Sequence, residues 1–134
     1  EGGLLTALVE TASASEAVLA VERDRVPVRP ETEACCAAVG VDPLATFGSG
    51  ALLAAVPPDR VGEATDALAA AGVAVGEIGE VRAADGRGGS GDSDAHDAHN
   101  ADTTDDSDSN AGTVLLDGDR IEEPPRDELY PFWE

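Results

Sequence analysis

Lysine and methionine are both absent from this 134-residue chain, and its eight basic residues are all arginine. Without lysine, no glycine-lysine phosphate loop can form. Aromatic residues are only 3% of the sequence: Phe47, Tyr130, Phe132 and Trp133. The core must therefore be built from Ala, Val and Leu, whose small volumes demand close backbone approach and favour helices packed on a sheet. Cys35 and Cys36 are the two cysteines and are adjacent. That spacing suits neither a disulfide framework nor a CxxC zinc site, and it predicts small, reduced core residues on a helix. His96 and His99, the two histidines, sit in an acidic low-complexity tract, which excludes Ser-His-Asp and Cys-His hydrolytic chemistry. No apolar run approaches the roughly 18 residues that cross a membrane, and no signal-peptide pattern is visible. The predicted location is cytoplasmic.

Positive charge is scarce: 28 acidic residues give a net charge of −20. Nucleic acids and anionic membrane surfaces are excluded as partners, because both require a basic surface. Residues 85–110 hold eight Asp and one Arg, so the remainder keeps 20 acids (28 − 8) against seven Arg (8 − 1). Self-repulsion of that size is tolerated where salt screens it, the Debye length falling to about 3 Å in molar salt. A halophilic cytoplasm is the expected setting.

Leu4, Leu5, Leu8, Val9 and Ala12 recur at helical spacing and predict a helix from Gly3 to Ala14. Val18 to Glu22 reads as a strand, and Asp24 to Val28 as a turn. Pro30 suits the first position of a second helix, Glu31 and Glu33 suit its positive end, and Gly40 suits its left-handed terminus. Ala34, Cys35, Ala38 and Val39 are its expected buried face. After the Gly48-Ser49-Gly50 hinge, the unbroken run Ala51 to Val56 predicts a central strand buried on both faces. Pro57 and Pro58 start a third helix with Val61, Ala64, Leu68 and Ala71 as its core face, closed by Gly72. Val73 to Val75 and Ile78 to Val81 predict the next strand, bent at Gly76.

Residues 85–111 contain no large apolar side chain, so they cannot repay their ordering entropy and are expected to be a disordered acidic insertion. Asp94, His96, Asp97 and His99 within it have metal-ligand chemistry, but a solvated acidic loop is the stronger reading and no metal is expected. Thr113 to Gly118 is expected as a strand with a turn, pairing with the strand that ends at Val81, so that the tract interrupts a hairpin. Leu129 to Trp133 carries three of the four aromatics and is expected to pack on the domain or on a partner. The Gly2-Gly3 pair ahead of the first helix is either a tight turn or an anion cradle formed by backbone N–H groups.

Glu1-Gly2-Gly3-Leu4, Val26-Pro27-Val28, Gly40-Val41-Asp42-Pro43-Leu44, Gly48-Ser49-Gly50-Ala51-Leu52-Leu53, Val56-Pro57-Pro58 and Ile78-Gly79-Glu80-Val81, in that order, resemble the C-terminal domain of AIR synthase-related proteins. That superfamily includes aminoimidazole ribonucleotide synthetase, selenophosphate synthetase, thiamine-monophosphate kinase and the hydrogenase maturation protein HypE. The motifs look most like HypE and its archaeal relatives. The resemblance implies an α/β fold, a mixed sheet with helices, partly ferredoxin-like, over residues 1–84 and 112–134. It also implies an N-terminal domain, normally ending in Asp-x-Thr, that carries most of the ATP and magnesium ligands. On this reading the chain is the later half of a homodimeric ATP-dependent enzyme, closes over a small-molecule substrate, and is inactive alone, with no cofactor of its own and no catalytic residue. Gly2 and Gly3 are the residues carried over as substrate or phosphate contacts, with Gly48, Ser49 and Gly50 as a second group. HypE ends in a cysteine that carries a carbamoyl group, whereas this sequence ends Phe132-Trp133-Glu134. Cyanide-ligand synthesis is therefore not expected of it. The alternatives are a stand-alone ferredoxin-like module that binds a small molecule or a partner, and a protein similar to thiamine-monophosphate kinase.

Overall fold

The structure, a computed structural model, describes residues 3–84, 111–121 and 123. The predicted acidic insertion, save Ala111, and the aromatic tail lie outside them. Helix α1 spans Gly3–Ser15 and strand β1 spans Ala17–Val21; helices α2 (Pro30–Val39) and α3 (Val61–Ala70) follow, then strands β2 (Gly79–Ala83), β3 (Thr113–Leu116) and β4 (Asp119–Ile121). The four strands form one mixed sheet in the order β2-β1-β3-β4. Helices packed on a sheet are what the composition favours, and the mixed α/β architecture is the one that the resemblance implied.

On α1, Leu5, Leu8 and Ala12 are buried, at spacings of three and four residues that form one stripe. They close on Leu19 and Val21 of β1 and Val114 of β3, with Leu44 and Ala45 from the 3₁₀ turn Pro43–Ala45 filling the end of the core. Each fully buried aliphatic side chain contributes about 1.5–3 kcal/mol. Ala12 is 0% exposed, and its small side chain lets the helix lie close to the sheet.

Helix α2 begins at Pro30, with Glu31 and Glu33 in its first turn. It ends at Gly40, φ +72°, where Val41 N–H donates to Cys36 O at 3.0 Å and Gly40 N–H donates to Ala37 O at 3.3 Å. This pair of bonds is the Schellman closure that glycine permits. Helix α3 closes in the same way, with Val73 N–H to Leu68 O and Gly72 N–H to Ala69 O, both at 3.0 Å.

Three expectations are corrected. First, Ala51 to Val56 is not a strand, and Leu52 is 91% exposed. The central place belongs to β1, whose two edges are already occupied by β2 and β3, and Ala51, Ala54 and Ala55 are poor strand formers. Second, the faces chosen for α2 and α3 are not core. Ala34, Cys35, Ala38 and Val39 are exposed, Cys36 is the buried residue of α2, and α3 has none. The physical reason is that α1 covers the sheet, while α2 packs on the Pro43–Ala45 turn and α3 meets chiefly the Pro58–Arg60 turn that leads directly into it, not the sheet. Third, β3 does not pair with β2. It runs parallel to β1 on its far side, Leu19 opposite Val114, while β2 is antiparallel to β1 with Leu19 opposite Val81. The residues between β2 and β3 therefore join strands separated by β1, and the hairpin is β3–β4 through Asp117-Gly118. Asp117 (φ +53°) and Gly118 (φ +92°) have the positive φ values of a type I′ turn.

The predicted strand before Val81 is shorter than expected, because Val73 to Ile78 lies outside the sheet. Gly76 lies where a Cβ would stand 2.7 Å from Arg25 O and 3.3 Å from Pro27 Cδ, so the chain threads past that turn only without a side chain. One further backbone bond, Glu22 N–H to Ile78 O at 2.8 Å, extends the β1–β2 ladder.

Candidate functional site

Gly3, at the entrance of α1, has φ +75°, and a Cβ there would lie 2.7 Å from Leu44 O, 2.9 Å from Thr46 N and against Thr46 O. The helix end is thus held on the backbone of the Pro43–Ala45 turn, with Leu44, Ala45 and Thr46 all buried beneath it. Gly48, Ser49 and Gly50 begin two residues beyond Thr46, in a turn closed by Ala51 N–H donating to Gly48 O at 2.9 Å. Gly50 has φ +85° and open space around it, the conformation of the third residue of a type II turn. The fold therefore brings Gly3 and the start of the second glycine group to the same end of the core. Gly2 lies outside the described residues.

The same end carries a polar tie that the sequence reading did not single out. Arg23, just after β1, donates from Nη1 to Asp42 Oδ1 at 2.9 Å and from Nη2 to Asp42 Oδ2 at 2.7 Å, a bidentate pair. Asp42 Oδ1 also accepts from Leu44 N–H at 2.9 Å, capping the Pro43–Ala45 turn. The backbone of Arg23 donates to Asp117 Oδ1 at 2.9 Å, and Asp117 N–H donates to Val21 O at 2.9 Å. One arginine thus ties the end of β1 to the turn beneath α1 and to the β3–β4 turn. The hydrogen bonds from Arg23 hold the Asp42 carboxyl below the usual carboxylate range against the opposing effect of burial, and the bond from Leu44 adds to the shift. Asp42 in turn raises the Arg23 guanidinium. The sequence signals were an Asp before Pro-Leu and an Asp-Gly turn, both of which read as local caps rather than as one connected unit.

On the sheet face opposite α1 lies an open cleft of about 580 Å³. Ala20 and Leu115 are register partners on that face, while Leu19, Val21 and Val114 face α1. The cleft walls carry Glu22, Glu77, Glu80, Asp117, Arg25 and Arg82. Arg25 pairs with Glu22 at 3.0 Å and Arg82 Nε donates to Glu80 Oε1 at 2.6 Å, both exposed pairs of small energetic weight. Four carboxylates against two paired guanidiniums repel a triphosphate. Among the described residues, no three His, Cys, Asp or Glu side chains converge as a metal site. The residues lining this cleft do not fit a magnesium–ATP group. None of Gly3, Gly48, Ser49 and Gly50 lines this cleft.

Among the described residues, no helix is long and apolar enough to cross a membrane. The chain is 37% identical over 70 residues to a carbamoyl dehydratase HypE of Rhizobium leguminosarum bv. viciae and 41% identical over 69 residues to one of Rhodobacter capsulatus. Each match covers 52% of this chain and 19% of the relative, so the matched part spans about a fifth of their length. Its fold is similar to a crystal structure of the hydrogenase maturation protein HypE in complex with ATP, with TM-score 0.63, 27% identity, and coverage of 94% of this chain and 35% of that one. A second HypE structure gives TM-score 0.59 at 27% identity, covering 87% of this chain and 31% of that one. Residues 1–88 match the family described as AIR synthase related protein, C-terminal domain, and the chain belongs to that family.

Proposed function

We propose that this chain is the substrate-side C-terminal domain of an ATP-dependent enzyme of the AIR synthase/HypE type, and that it works with an N-terminal domain holding ATP and magnesium. The observation that carries this reading is the family match over residues 1–88. The likeness to an ATP-complexed HypE structure over 94% of the chain supports it. The charge of the cleft favours the same division of labour, since its four carboxylates outnumber its two guanidiniums. In such a reaction ATP activates an oxygen of the substrate, and this domain's part is to bind and orient the small molecule. Gly2, Gly3, Gly48, Ser49 and Gly50 are the proposed contacts, through backbone N–H groups at the end of the core where α1 begins. The working assembly is a cytoplasmic homodimer, its acidic surface screened by concentrated salt.

The test is ATP-dependent phosphate release in molar KCl. The chain alone is expected to give none. Combined with an AIR synthase-type ATP-binding domain, it is expected to support turnover of a carbamoyl or nucleotide-like substrate. Turnover by the chain alone, or turnover by the partner domain that is indifferent to this chain, refutes the reading.

A further inference from the structure

Helix α3 and its C-cap Ala71 present Val61, Ala64, Leu68 and Ala71 at the spacing of a core face, yet none of the helix residues is buried and Leu68 is 42% exposed. Beside it runs a groove of about 330 Å³ with Val56, Pro57, Ala64 and Ala67 as its apolar lining and Arg60 and Glu63 at its rim. Arg60 Nε donates to Glu63 Oε2 at 2.7 Å, an exposed pair that leaves a guanidinium beside an apolar trough. Alanines make the trough shallow and open.

We infer that the groove receives the chain's own residues Leu129 to Trp133, in an intramolecular contact independent of the proposed ATP-dependent activity. The argument is one of supply and reach. Three of the four aromatic residues, Tyr130, Phe132 and Trp133, stand in that one segment, while the described core contains no aromatic side chain. Trp133 stands twelve residues after β4 ends at Ile121, and an extended chain of that length reaches about 40 Å, somewhat more than the diameter of about 34 Å of a domain of about 100 residues. An aromatic ring in the groove covers the Val56 side chain and meets the face of the Arg60 guanidinium, a cation–π arrangement that also suits Tyr or Trp because their polar tips remain in water. Leu129 to Trp133 carries no charge, and repulsion from the flanking Asp127, Glu128 and Glu134 is screened in molar salt.

Trp133 is the single tryptophan, so its emission reports this segment without a label. In molar KCl, Trp133 of the intact chain is expected to emit to the blue of a free peptide of residues 122–134 and to be quenched several-fold more slowly by acrylamide. Ala67→Glu, at an exposed helical position, is expected to abolish both differences while leaving the far-ultraviolet circular dichroism unchanged. Trp133→Ser is expected to increase binding of a hydrophobic dye. Peptide-like quenching in the intact chain overturns the inference. So does protection that survives Ala67→Glu, which places the segment elsewhere, or protection lost on dilution together with a fall in mass, which assigns the groove to a second copy. Should Ala67→Glu unfold the chain, Val56→Asp at the opposite wall is read in its place.

Discussion

Replacing Gly3 with alanine tests whether the glycine at the helix entrance serves packing, and the structure sets the scale. At φ +75° an L-residue costs about 1–2 kcal/mol before any contact is considered. The new Cβ would lie 2.7 Å from Leu44 O and collide with Thr46 O, backbone atoms of a turn whose three residues Leu44, Ala45 and Thr46 are buried and cannot withdraw. Shifting α1 away instead loosens the stripe Leu5, Leu8 and Ala12, and overpacking of this kind costs about 1–3 kcal/mol. The sum is roughly 3 kcal/mol, a large part of a stability that is typically 5–15 kcal/mol. Gly50→Ala is the internal reference. It has a similar φ of +85° but open space, so it should cost only the backbone share, about 1–2 kcal/mol. Urea unfolding followed by circular dichroism in molar KCl measures both. If Gly3→Ala is no more destabilising than Gly50→Ala, the close approach of α1 to the Pro43–Ala45 turn is wrong. The comparison also separates packing from ligand contact, since a glycine serving only as a contact would lower turnover of the complete enzyme without moving the urea midpoint.

Two further outcomes follow from the same geometry. Asp42→Asn removes the charge from the bidentate partner of Arg23 and weakens the Leu44 cap; the loss should be about 1–2 kcal/mol at neutral pH, tempered by the partial exposure of both side chains. Because the folded-state carboxyl lies below its unfolded value, its stabilisation is present above about pH 4 and is lost as pH falls through the folded pKa. Thermal midpoints of the two proteins should therefore converge in acid, and a gap that widens there contradicts the tie. Leu52→Ala, at a side chain 91% exposed, should change stability by no more than about 0.5 kcal/mol, whereas Leu8→Ala, at 2% exposed, should cost about 3–5 kcal/mol. A large loss at Leu52 would restore the buried central strand that the sequence suggested.

That strand shows where the sequence stops being informative. An apolar run of six, Ala51 to Val56, has the composition of a buried strand, but burial needs a neighbour on each side, and whether one exists depends on segments far away in the chain. Val18 to Val21 and Thr113 to Leu116 found such neighbours and Ala51 to Val56 did not. The stripes on α2 and α3 fail as predictors of burial for the same reason. Periodicity defines a face and says nothing about what lies opposite.

The candidate site divides along the same line. Gly3 at the helix entrance and the Gly48-Ser49-Gly50 turn were legible as backbone conformations, because glycine pairs and hinges are local chemistry, and the ordered motifs around them sufficed to reach the family. Arg23, Asp42 and Asp117 were not legible as a unit. The first two are 19 positions apart and Arg23 is 94 positions from Asp117, and only the ends of β1, the Pro43–Ala45 turn and the β3–β4 turn, once folded together, make them neighbours.

By itself the sequence determined what depends on a few adjacent residues: the Pro30 start and Gly40 end of α2, the stripe of α1, the Asp117-Gly118 turn, the acidic charge and the family. Only the tertiary structure decided the strand order, the place of β1 between β2 and β3, the polar tie through Arg23 and the exposure of α3. Those are outcomes of competition among distant segments for a limited number of sheet edges and one helix-covered face, and no local window of sequence contains the competitors.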